Sequence, residues 1–227
     1  MKTKLVTLFA STLLALPACA ASYTLSFGVG VDANGIQDAA GRAFRDNTAV
    51  GSSFAGAAGG TSAGPGVVAT GIFSTDALAA STSSQLIAAF TNFGSTTVPF
   101  SAVGTNGNRG VFSLGTAGTV AGSTFAGKNI YIFAGNATTL ASSTQFFVFK
   151  TNSLFAAADD NSPTSVEYIF NPASGTVLFG TAVADMKTTS GDSTVTPGFQ
   201  MATAVPEPSA VLLGAIGALG LLRRRRN

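Results

Sequence analysis

Histidine is absent from this chain of 227 residues, and cysteine occurs once, at Cys19. Histidine is the side chain most used for general acid–base catalysis, and Ser-His-Asp and Cys-His enzymes both depend on it. Zinc sites of the HExxH type need it as well. These absences exclude several enzyme classes, and we therefore predict a protein that is not an enzyme and holds no metal and no cofactor.

Charge is also scarce, at 10% of the residues against about 25% in an ordinary soluble domain. The formal net charge of +2 comes from the two ends, which hold two lysines and four arginines. Between them six cations face nine acids when Glu207 is counted with the end segment. A slightly acidic body without a basic patch predicts no nucleic-acid partner.

Residues 1–20 are predicted to be an export signal. They contain a positive region at Lys2 and Lys4, an apolar core at residues 5–16, and an A-x-A cleavage site at Ala18 and Ala20 before Ala21. Export by the Sec machinery and cleavage by signal peptidase would remove Cys19. Two alternatives stay open, because residues 16–19 resemble a lipoprotein box that would lipidate Cys19, and because the segment has the composition of a buried helix.

Residues 204–227 form a second distinctive segment. Pro206, Glu207 and Pro208 precede an apolar stretch at residues 210–222, and the chain continues with Arg223, Arg224, Arg225 and Arg226. As a helix the apolar stretch is about 20 Å long, which is short for a hydrocarbon core of roughly 30 Å. The arginines would stop the helix on the cytoplasmic side, and the prolines keep the glutamate extended and outside the helix.

This motif, helix and basic end resemble the PEP-CTERM sorting signal of Gram-negative bacteria. The resemblance implies recognition by an exosortase, a membrane-embedded enzyme similar to cysteine transpeptidases, which removes the tail near Pro206. It also implies that the protein is anchored transiently in the inner membrane and then delivered to the cell surface or the extracellular matrix. The alternative is a plain membrane anchor with a proline-rich neck.

The body, residues 21–203, is predicted to be mainly β, as a β-sandwich or a jelly-roll with one short helix. Apolar residues alternate from Tyr23 to Val31, which is typical of a strand with one buried face. Turn residues separate most of the other predicted strands, which cover residues 67–73, 97–103, 110–114, 129–134, 145–151, 166–170 and 176–183.

Other segments depart from this strand pattern. Residues 74–76 are suited to cap a helix that runs to Phe90 or Phe93, and the serine-rich run at 81–84 favours only its second half. Residues 51–66 are predicted to be a glycine-rich loop, and residues 135–144 a hairpin loop. Residues 191–203 are either a last edge strand or the linker to the sorting tail.

Three polar patterns are weak candidates for sites. Asp32, Asn34 and Asp38 resemble the start of a calcium loop but lack its later glutamate, and a polar turn explains them equally well. Residues 159–161 are similar, and a solvated loop explains them too. Asn136 begins an Asn-x-Thr sequon.

We expect a structural or adhesive protein of a biofilm or exopolysaccharide, with an exosortase as processing partner and exopolysaccharide as a further candidate partner. A carbohydrate-binding surface module is the second hypothesis, which an exposed row of tyrosine or phenylalanine would support. The third is a secreted hydrolase, which needs two facing carboxylates. Glu167 is the only glutamate of the body, and no motif identifies a partner for it.

Overall fold

A computed structural model describes residues 22–28, 35–44, 63–74, 82–94, 97–100, 114–120, 123–157, 164–169, 171–187 and 195–203. They contain one α-helix, α1 (Ser83–Ala89), and a short 3-10 helix at Pro172–Ser174. The strands are β1 (Ser22–Gly28), β2 (Ile36–Gln37), β3 (Val67–Phe73), β4 (Phe90–Asn92), β5 (Val98–Pro99), β6 (Leu114–Thr119), β7 (Asn129–Gly135), β8 (Gln145–Leu154), β9 (Thr164–Ile169), β10 (Gly175–Phe179), β11 (Thr181–Lys187), β12 (Val195–Gln200) and β13 (Ala202–Thr203).

The strands form one large sheet and two small ones. The large sheet has the order β10-β8-β7-β3-β4, with β5 beside β3 and β13 beside β8. The small sheets have the orders β6-β1-β9 and β11-β12-β2. The pairs β1–β9 and β2–β12 are parallel, and all other pairs are antiparallel.

The pair β7–β8 lies in the middle of the large sheet, and both of its faces are buried. Side chains of a strand alternate between the two faces, so a strand that is apolar at nearly every position suits a position between two layers. Ile132 pairs with Phe149 on one face, and Phe133 pairs with Val148 on the other. All four are fully buried, which explains why these two segments are almost continuously apolar.

The first face of the large sheet packs against residues of both small sheets. Phe199 of β12 contacts Phe147 and Phe149 of β8, with ring centroids 5.0 and 5.5 Å apart. Tyr23 of β1 contacts Phe93 and Phe155 at 6.1 and 5.8 Å. These rings belong to one apolar cluster, so the body is mainly β and its layers are consistent with a β-sandwich.

The second face of the large sheet is covered by α1. Thr82 caps this helix, because its hydroxyl accepts a hydrogen bond from the Gln85 amide at 3.2 Å. Leu86 is buried against a second cluster that includes Phe73, Phe133 and Phe146. The large sheet therefore lies between α1 and the small sheets.

Most of the predicted strands are confirmed where the structure describes them. They correspond to β1, β3, β7, β8 and β9, and the hairpin loop between β7 and β8 is present as predicted. For residues 191–203 the alternatives were a strand and a linker, and the described part of this segment forms strands β12 and β13. The described parts of the segments 97–103 and 110–114 contain β5 and the first residue of β6.

The predicted helix is confirmed in its second half only as far as Ala89, and its continuation to Phe93 is wrong. Phe90 has extended dihedral angles, φ −88° and ψ 129°, and begins β4. The reason is tertiary, because Phe90 pairs with Phe73 of β3 and its ring packs on Phe133 at 5.0 Å. Residues 75–81 lie outside the described residues, as do 51–62 of the predicted glycine-rich loop.

The single strand predicted at residues 176–183 is also wrong, because Gly180 divides it. Its φ of +97° lies where other residues are strained, and the chain passes there from β10 in the large sheet to β11 in a small sheet. A Cβ atom at this position would lie 2.5 Å from the Gln200 carbonyl oxygen. The glycine therefore permits both the turn and the close approach of β12.

We predict that Gly180→Ala lowers the free energy of unfolding by about 3 kcal/mol, the sum of left-handed backbone strain and overpacking. Gly127→Ala is the matched control, because its φ is +65° and a Cβ there would meet nothing within 4 Å. The control should cost about 1 kcal/mol. Urea denaturation of the full chain, followed by far-UV circular dichroism, measures both, and equal losses would contradict the role of Gln200.

Candidate functional site

The Asp38 carboxylate is buried in a tight turn and belongs to an ion pair. Its Oδ1 accepts hydrogen bonds from the Ala40 and Arg42 amides at 3.0 and 2.8 Å. Its Oδ2 accepts from Nε of Arg42 at 2.7 Å and contacts Nη2 of the same residue at 2.6 Å. A carboxylate offers about four acceptor positions, so these four contacts leave none for a cation.

The calcium alternative for Asp32, Asn34 and Asp38 therefore does not fit Asp38, which stabilises its own turn instead. Asp32, Asn34 and residues 159–161 lie outside the described residues. Within the described ranges, no three acidic, histidine or cysteine side chains are grouped as metal ligands would be.

Two glutamine side chains attach this turn to the rest of the body. Oε1 of Gln145 accepts a hydrogen bond from the Ala39 amide at 2.8 Å. Nε2 of Gln200 donates to the Ala39 carbonyl at 2.9 Å. Because Gln145 is in β8 and Gln200 is in β12, the Asp38 turn connects the large sheet with a small one.

The sequon residue Asn136 has a structural role in the hairpin loop. Its Oδ1 accepts hydrogen bonds from the amides of Thr144 and Gln145 at 2.8 and 2.9 Å. Its Nδ2, the atom that a glycan would occupy, donates to the Thr144 hydroxyl at 3.4 Å. The asparagine is explained by closure of the loop without any modification.

A cleft of about 620 Å³ lies at one edge of the large sheet, where β3 ends and β4 and β7 begin. Antiparallel pairing of β3 with both neighbours brings these strand ends together. Ile72, Phe73 and Ala89 contribute apolar surface. The polar side chains that line the cleft are those of Ser74, Thr91, Thr124, Lys128, Asn129 and Tyr131.

Tyr131 is the most buried of these polar residues, with 9% of its surface exposed. Its ring meets that of Phe73 edge to face, with the centroids 5.4 Å apart. Burial raises the pKa of the Tyr131 hydroxyl above its ordinary value, so the group remains protonated at neutral pH. It therefore enters the cleft as a hydrogen-bond donor.

The residues of this cleft are not evident as a site from the sequence. They come from β3, α1, β4, the turn at residues 123–128 and β7, and they form no motif along the chain. The only signal is the position of Lys128 and Tyr131 at the start of a strongly apolar strand, which by itself indicates a strand and no site.

The described part of the body reaches its boundary with the predicted tail. Met201 is buried, and its amide donates to the Gln37 carbonyl at 2.9 Å. Ala202 and Thr203 pair with Phe146 and Gln145 of β8. The last strand of the body thus ends at Thr203, three residues before Pro206.

The predicted processing residues all lie outside the described residues. They are Ala18, Ala20 and Ala21 at the signal cleavage site, Pro206, Glu207 and Pro208 in the motif, and the terminal arginines at 223–226. The same is true of the predicted helix at residues 210–222. Among the helical residues that the structure describes, none form a helix with the length and apolar character needed to cross a bilayer.

Comparison with known protein families identifies the C-terminal segment. The family model for the PEP-CTERM protein-sorting motif matches residues 204–226. The chain carries a PEP-CTERM sorting motif. No curated protein and no solved structure matches the chain significantly.

The PEP-CTERM motif confirms the resemblance drawn from the sequence. It indicates an exported protein that an exosortase sorts, with anchoring in the membrane during transit and before surface display. The match starts at residue 204, directly after the last residue of β13. The folded body and the PEP-CTERM motif are therefore consecutive in the chain without overlap.

We predict that Arg42→Ala lowers the free energy of unfolding by about 2 to 3 kcal/mol, because it leaves the buried Asp38 carboxylate without its cation. The expected loss is below that of a fully buried pair, since Arg42 is 32% exposed. Lys128→Ala is the matched control, because this exposed cation forms no ion pair with a described residue, and it should change stability by less than about 0.5 kcal/mol. Urea denaturation of the full chain compares the two, and equal effects would show that the ion pair contributes little.

Proposed function

We propose that the body is a non-enzymatic structural or adhesive component of the cell surface or the exopolysaccharide matrix, to which its PEP-CTERM motif delivers it. The observation that carries the proposal is the PEP-CTERM motif itself, at residues 204–226. Because β13 ends at Thr203, cleavage near Pro206 would release every described strand intact. Removal of the tail by an exosortase is therefore compatible with a folded body.

The chemistry of the described residues supports a role other than catalysis. The chain has no histidine, and its one cysteine lies in the predicted signal. Asp38 is engaged by Arg42, and none of the described residues that line the cleft is acidic. A glycosidase would need two carboxylates facing each other across its substrate, and the described lining of this cleft offers neither.

The surface of the described residues supports contact with a hydrated polysaccharide. Exposed positions are largely uncharged and hydroxyl-bearing, and they include Thr138, Thr139, Ser142 and Thr144 in the hairpin loop. Hydroxyl groups both donate and accept hydrogen bonds, as the hydroxyls of a sugar do. Such a surface contacts a neutral or charged polysaccharide through hydrogen bonds and needs no strong electrostatic field of its own.

We predict that Glu207→Gln prevents removal of the tail, because the Pro-Glu-Pro segment at residues 206–208 then lacks its only charge. Intact mass spectrometry of protein recovered from the surface and medium of the host should give, for the unchanged chain, a mass that fits Ala21 to the neighbourhood of Pro206. The Glu207→Gln chain should retain the mass of Arg223 to Arg226. A host strain without its exosortase should give the same retained mass.

Glu167→Gln is the matched control, because Glu167 is the only other glutamate of the chain and lies in β9. Its processing should be unchanged. If the wild-type chain retains Arg223 to Arg226 in a host that has its exosortase, the protein stays anchored in the membrane and the proposed delivery to the matrix is wrong.

Carbohydrate binding is a second candidate function, and the cleft between β3, β4 and β7 is the observation that favours it. The exposed row of tyrosine or phenylalanine that would support this candidate is not found among the described side chains, where Leu154 is the exposed large apolar residue. Tyr23 and Tyr131 are both buried. Among the described residues, the candidate sugar-binding site is therefore the cleft and not a flat aromatic platform.

A further inference from the structure

The cleft at the ends of β3, β4 and β7 has an unusual polar lining. None of its six polar side chains, from Ser74 to Tyr131, hydrogen-bonds to another part of the described chain. In the hairpin loop at residues 135–144, by contrast, the side chains of Asn136, Thr139, Ser142 and Ser143 all form hydrogen bonds. Tyr131 is the buried one of the six, and buried polar groups normally find partners, so its hydroxyl, which has no partner in the described chain, is suited to a polar ligand.

The charge of the cleft has one sign. Lys128 is the only charged residue among the described residues that line it. Its backbone is held firmly, since its amide donates to the Phe125 carbonyl at 2.9 Å and its carbonyl accepts from the Phe155 amide at 2.8 Å. Its side chain is exposed and makes no ion pair with a described residue. An ammonium group without an ion-pair partner among the described residues favours a ligand that carries a carboxylate or another anion.

The remaining surface of the cleft favours a ring with hydroxyl groups. Thr124, Asn129 and Tyr131 offer two hydroxyls and one amide, which is more than a simple anion needs. Phe73 adds apolar surface on the same face of the sheet as Tyr131, against which the C–H face of a sugar ring packs. The volume of about 620 Å³ lies in the usual range of ligand pockets.

We propose that this cleft binds an acidic sugar residue of the uronate class, with Lys128 contacting the carboxylate and the neighbouring hydroxyl and amide side chains contacting the ring hydroxyls. This inference deepens the second candidate function and rests on it. It adds the ligand class, the anchoring cation and the location of the site.

The test is binding of D-glucuronate, D-glucose and acetate to the full chain, followed by ligand-observed NMR. The protein is kept in a polyoxyethylene detergent, which contains no sugar, and all three probes are compared at the same ionic strength. Glucuronate should bind about tenfold more tightly than glucose, because only glucuronate places a carboxylate at Lys128. Acetate should bind more weakly than glucuronate, because it has no ring hydroxyls.

Substitutions in the cleft separate the contributions of charge and hydroxyl. Lys128→Ala should weaken glucuronate binding about tenfold and remove the preference over glucose. Tyr131→Phe keeps the buried ring and should weaken both sugars about fivefold. Lys187→Ala is the matched control, because it removes one positive charge from β11 in another sheet. Unchanged circular dichroism spectra check that each variant is folded.

Four results would overturn the inference. Equal binding of glucuronate and glucose would refute the acidic ligand and leave carbohydrate binding in place. Binding of acetate as tight as that of glucuronate would reduce the site to a simple anion site. No binding of either sugar, or equal losses in Lys128→Ala and Lys187→Ala, would remove the site itself. None of these results affects the sorting experiment, which measures removal of the tail.

Discussion

The antiparallel pairing of β7 with β8 is the constraint on which the rest of the body depends. Its phenylalanines are buried on both faces of the large sheet, and burial of each such side chain contributes about 1.5 to 3 kcal/mol. β3 pairs with one side of this unit, and β10 and β13 pair with the other. The small sheets pack on its first face and α1 packs on its second, so every layer is positioned by these two strands.

In the described loops and turns, hydrogen bonds from neutral side chains hold the backbone in place, as ion pairs often do in other proteins. Asn136 closes the hairpin loop, Asn171 caps the short 3-10 helix, and Gln145 and Gln200 hold the Ala39 peptide from two sheets. The Asp38–Arg42 pair is the exception, and it is buried within its own turn. This arrangement explains how a chain with 10% charged residues forms defined loops, and it gives Asp38 and Asn136 structural roles where their patterns indicate sites.

The body and the PEP-CTERM motif have separate tasks. The motif, at residues 204–226, directs transport, and its match begins directly after the last described strand of the body ends at Thr203. The cleft is formed by residues from 72 to 131, so its residues and those of the sorting signal do not overlap in the chain. Mutations in the sorting motif should therefore change transport without changing any binding by the body, and mutations in the cleft should change binding without changing transport.

The sorting motif and most of the strands can be recognised from the order of residues alone, because both depend on local patterns: Pro-Glu-Pro before an apolar run, and alternating or continuous apolar residues between turns. Contacts between distant segments are what end the helix at Phe90, which pairs with Phe73, and what divide a predicted strand at Gly180 between two sheets. The cleft also depends on tertiary pairing, since Ser74, Thr91 and Tyr131 are brought together by neighbouring strand ends. The pattern of apolar residues along a strand indicates which of its faces is buried, but it does not indicate which strand lies beside it.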